Sequence, residues 1–74
     1  MTYLVYNPHI PKGIEFAEGE MLYVVVKNDV AILAVPEKYN SHVPRLLGMR
    51  GCTSCNSGAY FRMATAEEVV KWLL

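Results

Sequence analysis

Met21-Leu22-Tyr23-Val24-Val25-Val26-Lys27-Asn28-Asp29-Val30-Ala31-Ile32-Leu33-Ala34-Val35 is the stretch on which the fold turns. Two apolar runs rich in β-branched residues flank a polar triplet, a composition that predicts two strands. Asn and Asp tolerate the left-handed backbone of a tight hairpin loop better than other side chains do. With Asn28 and Asp29 as the loop, Val26 faces Ala31, Val24 faces Leu33 and Leu22 faces Val35 on one side. Tyr23, Val25, Ile32 and Ala34 occupy the other. A hairpin with one wet face alternates polar residues along each strand. Here both faces are apolar, so both need a cover.

One cover is legible at the end of the chain. Thr65 followed by Glu68 is a capping box, with Glu67 and Glu68 in the first turn where the helix dipole favours acids. Ala66, Val69, Val70, Leu73 and Leu74 then fall on one helical face, opposite Glu67, Glu68 and Lys71. One short helix covers one face of a sheet. The expectation is therefore that the spare apolar face, with Tyr23, Val25, Ile32 and Trp72 as its candidates, meets a second copy of the chain or another protein.

The remaining segments are shorter. Tyr3 to Tyr6 predicts a strand ended by the Asn7-Pro8 turn, and Ile14-Glu15-Phe16 a brief strand before the turn at residues 17–20. Residues 37–43 read as a polar loop or a broken helical turn. Pro44 to Leu47 reads as a short helix stopped by Gly48, residues 49–58 as a loop holding both cysteines, and Ala59 to Ala64 as a last strand. The whole, residues 1–74, is expected to be a single α+β domain. It is a small antiparallel sheet or partly open barrel with a short C-terminal amphipathic helix.

Ile14-Glu15-Phe16-Ala17-Glu18-Gly19-Glu20-Met21-Leu22-Tyr23-Val24 resembles the diverging turn of Src-homology-three-like barrels, and Tyr3 to Tyr6 sits where such barrels place their first strand. The resemblance implies a small barrel. Residues 36–58 lack that family's distal hairpin, and Trp72 lies in the last helix and not in a peptide groove, so no binding residues carry over. The segment from Phe61 to Glu68 is similar to the strand and capped helix that close small phage and prophage assembly proteins, which implies an assembly role.

Composition narrows the function. Hydrophobic residues make up 53% of the 74 and charged residues 19%, a surface sparse in charge that favours a partner subunit. The longest apolar run is far shorter than the roughly 20 residues that span a bilayer. The N-terminus lacks the pattern of a secretory signal, so the chain is expected to be cytoplasmic, with Cys52 and Cys55 as thiols or metal ligands. Residues 13–37 carry five acids against one lysine, and residues 38–62 carry Lys38, Arg45, Arg50 and Arg62 with no acid. That asymmetry points to an anionic partner or to two segments facing each other, against the plain reading of a solvated surface.

Cys52-Thr53-Ser54-Cys55 is the chemical motif. Two thiolates at this spacing can bend around one tetrahedral zinc ion, with His42 and His9 as candidate further ligands or the Cys pair of a second chain completing the set. The plain alternative is two thiols in a loop. Zinc held there, with Lys38, Arg45, Arg50 and Arg62 on phosphates and Tyr39, Tyr60 or Phe61 stacking on bases, would make a nucleic-acid-binding protein. A pI near 6.7 and strand positions for Tyr60 and Phe61 speak against it. Thiol-redox chemistry would need the first thiolate at a helix N-terminus, whereas the motif runs into Asn56-Ser57-Gly58. His42 beside Ser41 forms no recognisable catalytic triad. The expected function is a non-enzymatic interaction or assembly module acting as a homo-oligomer, with no cofactor.

Overall fold

A computed structural model describes residues 1–8, 12–48 and 60–74. Five strands form one antiparallel sheet among them: β1 (Thr2–Tyr6), β2 (Lys12–Ala17), β3 (Glu20–Lys27), β4 (Val30–Val35) and β5 (Phe61–Met63). Their order across the sheet is β2-β3-β4-β1-β5. A 3₁₀ segment (Glu37–His42) runs into helix α1 (Val43–Leu47), and helix α2 (Ala66–Leu73) follows β5.

The β3–β4 hairpin forms as its sequence predicts. Asn28 and Asp29 adopt φ 52° and 64°, and Lys27 pairs with Val30, Val26 with Ala31 and Val24 with Leu33. Positive φ at both loop residues matches the right-handed twist of the flanking strands, which is why a two-residue loop suffices. Gly19, at φ 79° with open space where a Cβ would sit, turns β2 into β3 with a backbone in which a side chain would be strained. The pairing of β2 with β3 slips between Glu15 and Ala17. β1 pairs with β4 from Thr2–Val35 to Val5–Ile32, and with β5 through Leu4–Met63 and Tyr6–Phe61.

The sheet is open. The small barrel implied by the resemblance of residues 14–24 does not form, because β2 and β5 lie at opposite edges. Both edge strands carry charge, with Lys12 and Glu15 on β2 and Arg62 on a three-residue β5, which blunts them against further pairing. β1 and β4 are apolar on both faces, as strands sandwiched between two covers must be.

Both covers come from this chain. On one face Leu4, Tyr6, Val24, Leu33, Val35 and Phe61 pack with Tyr39, Val43, Leu46 and Leu47 of the 3₁₀ segment and α1. On the other, Val5, Val30 and Ile32 pack with Tyr3, Ala64 and Trp72 of α2. The sequence expectation of one face left spare is corrected over β4, which is covered on both faces, whereas β3 keeps Met21, Tyr23 and Val25 exposed on the α2 side. Glu37–His42 reads as polar, but its kink at Tyr39 turns that ring inward against Phe16, 5.2 Å between centroids, so the segment acts as a lid. The last strand is shorter than expected, Phe61–Met63, with Tyr60 and Ala64 extending the β1 contact through Asn7 N–H to Tyr60 O and Ala64 N–H to Tyr3 O.

Candidate interaction surface

The rotation of α2 about its own axis decides what the molecule shows to solvent. Its first turn is fixed by the capping box: Thr65 Oγ1 accepts from Glu68 N–H at 3.2 Å, and Glu68 Oε1 accepts from Thr65 N–H at 2.9 Å. The same carboxylate takes both arms of Arg62 on β5, at 2.8 and 2.6 Å. The paired guanidinium, then the Thr65 N–H, hold Glu68 down to about 2, below the usual carboxylate range, and Glu68 in turn raises Arg62.

The last turn is fixed by the hairpin. Trp72 Nε1 donates to Val25 O at 2.8 Å, its ring meets Tyr3 edge-on at 6.0 Å, and Lys27 Nζ lies 5.0 Å over it. Asn28 Nδ2 donates to Lys71 O at 2.8 Å, satisfying a carbonyl that the helix end leaves without an intrahelical partner. Glu68 and Trp72, four residues apart, therefore define the side that faces the sheet.

Helical geometry places Ala66, Val70 and Leu74 on the opposite side. Val70 is 59% exposed, Leu73 56% and Leu74 88%. The sequence expectation that Ala66, Val69, Val70, Leu73 and Leu74 pack on the sheet is overturned: of these Val69 is half-buried and the other four are exposed. The physical reason is that Trp72 brings more buried surface and a hydrogen bond, and Glu68 brings its ion pair, so the polar-looking side wins the sheet. The outcome is a shallow, open apolar depression of about 350 Å³ lined by Ala66, Glu67, Val70, Lys71 and Leu74.

A second uncovered apolar area lies on the same face of the sheet towards its β2 edge. Tyr23 is 62% exposed, and Met21 and Val25 are each 43% exposed. A Cβ at Gly13 would meet Met21 Cε at 2.7 Å and Tyr23 Cε1 at 3.0 Å, so these side chains lie over the bare backbone of β2. Of the four interface candidates, Tyr23 and Val25 are thus on the surface. Ile32 is fully buried beneath α2, and Trp72 is half-buried and bonded within the chain, so neither is available to a partner.

The other candidates are dispersed. His42 packs against the touching rings of Phe16 and Tyr39, at 5.3 and 5.6 Å, as a half-buried aromatic. His9, Arg50, Cys52 and Cys55 lie outside the described residues, and among the described residues no three His, Cys, Asp or Glu side chains gather as a metal set would. Lys38 is 3.4 Å from Glu20 and 5.1 Å over Tyr39. Lys38 and Arg45 belong to the lid on one face, whereas Arg62 is clamped to α2 on the other, so the structure does not gather these three into one basic patch. No helix among the described residues is long and apolar enough to cross a membrane. No protein-family model, no curated protein and no solved structure matches the chain.

Proposed function

We propose that this domain is a non-enzymatic interaction or assembly module that works as a homo-oligomer, with the cytoplasm as its compartment. The observation that carries the reading is the outward stripe Ala66-Val70-Leu74 on α2, with Leu73 beside it. An amphipathic helix normally turns its apolar side to its own core. One that is pinned with that side to solvent presents a docking surface, and contiguous exposed apolar area on a small domain marks such sites.

The magnitudes define what kind of association to expect. Fully burying a Val or Leu side chain is worth about 1.5–3 kcal/mol. Val70, Leu73 and Leu74 from two copies, each already partly covered, contribute about 6–12 kcal/mol in total. Association costs about 4–15 kcal/mol in lost freedom. Only the favourable end of the two ranges leaves a net gain, about 8 kcal/mol at most. Micromolar affinity is therefore the upper limit, and the expected oligomer is a weak, micromolar to millimolar one and not obligate.

Sedimentation equilibrium from about 5 µM to about 1 mM brackets that range. The expected result is a reversible rise in mass with concentration. A monomer throughout the range overturns the homo-oligomer reading.

A further inference from the structure

Resting on that reading, we infer that two copies of this chain dock through an antiparallel pair of α2 helices related by a two-fold axis beside Val70. The proposal comes from the sorting of side chains around the outward stripe. By helical geometry Glu67 and Lys71, which line the depression, flank the stripe on one side, and Val69 and the exposed Leu73 flank it on the other. In an antiparallel two-fold pair, like edges meet: the charged edge of one helix faces the charged edge of its partner, and the apolar edges meet each other. Because the helices run in opposite directions, Glu67 of one copy then lies beside Lys71 of the other, twice. Ala66 faces Leu74 of the second copy.

The register closes on simple helix geometry. With Val70 on the axis, Glu67 and Lys71 of the two copies are offset by about 3 Å along the helices, at a rise of 1.5 Å per residue. Both side chains span that offset. A parallel pair would instead set the charged edge of each helix against the partner's Val69 and Leu73, leaving four charges opposite apolar surface. The charge pattern thus selects one orientation, as complementary edges do in paired helices.

The smallest side chain of the stripe, Ala66, faces the longest, Leu74, which lets the backbones approach at the usual 8–10 Å. The ties of Glu68 and Trp72 to the sheet stay intact on the far side. Eight residues make a short contact, about 12 Å long, well under the standard interface of about 800 Å² per partner. A reversible dimer follows.

The test uses the whole chain and two charge reversals, E67K and K71E, both on the exposed side of α2. Far-ultraviolet circular dichroism and Trp72 fluorescence verify that each variant is folded. Each reversal puts like charges at both contacts, so self-association is expected to weaken about tenfold or more. An equimolar mixture of the two variants restores acid against base at both contacts and is expected to associate at least as tightly as the native chain. The double variant E67K/K71E is expected to return to native affinity. Single variants that dimerise as well as the native chain, or a mixture no tighter than either variant alone, overturn the antiparallel α2 pair while the oligomer itself stands. A native chain that stays monomeric overturns the proposed function and this pair together.

Discussion

Glu68 does three jobs with one carboxylate: it closes the capping box, holds both arms of Arg62 and turns α2 onto the sheet. Its folded pKa lies near 2, below the unfolded carboxylate value, so its contribution is present in full above about pH 4.5 and is lost as the pH falls from there towards 2. Arg62 is half exposed, so solvent screening reduces the worth of the pair to about 1 kcal/mol. Denaturation by urea should therefore show E68Q less stable than the native chain by about that amount at pH 6, with the two converging near pH 2. A gap that persists undiminished at low pH would mean that the carboxylate charge is not what holds the helix. Asn28 shows the same economy, since the φ of 52° that makes the turn also aims its amide at Lys71 O. The turn was legible in the sequence from residue type alone. The reach of Asn28 to α2 was not, because nothing in the residues around position 28 encodes a partner 43 positions away.

At the scale of elements, α2 and the β3–β4 hairpin were legible for different reasons. The hairpin register follows from its loop, and the capping box marks where α2 begins. What periodicity could not supply is the direction in which the helix faces. An apolar stripe says which side is hydrophobic, whereas the side that packs is settled by what the sheet offers, here the Val25 carbonyl for an indole N–H and Arg62 for a carboxylate. Residues 37–43 of the lid were read as a polar loop or a broken helical turn because Tyr39 is the one large apolar side chain within Glu37–His42, and the helical spacing of Tyr39, Val43 and Leu46 is interrupted by the kink at Tyr39. The facing of α2 is open to direct measurement in dilute, monomeric protein. W72F keeps most of the ring packing but removes the bond to Val25 O, at an expected cost of about 1–2 kcal/mol. V70E, on the outward side, should cost under about 0.5 kcal/mol, since Glu is a good helix former and little packing is lost. The reverse ranking in chemical denaturation would place Val70 and not Trp72 against the sheet.

For the whole molecule, the apolar surface that the lid and α2 leave exposed is the informative quantity. A domain of this length hides only about 60% of its unfolded surface, so its stability margin is small and any reversible association is a sizeable part of it. Oligomerisation then reports on itself through mass action, because a dimer is favoured over unfolded monomers as concentration rises. Above the dissociation constant, a tenfold increase in concentration adds about 0.7 kcal/mol per chain, half of the 1.4 kcal/mol that a factor of ten represents. For a domain of 60–100 residues that moves the melting temperature by about 3–6 °C. V70E should melt at the same temperature as the native chain in dilute solution and lose the rise with concentration. A native melting temperature that stays flat into the millimolar range would leave the outward stripe of α2 without a second copy upon it. A rise retained in V70E but removed by a charge at Val25 would move the contact from the helix to the Met21-Tyr23-Val25 shelf, where the same thermodynamics would hold with a different set of side chains.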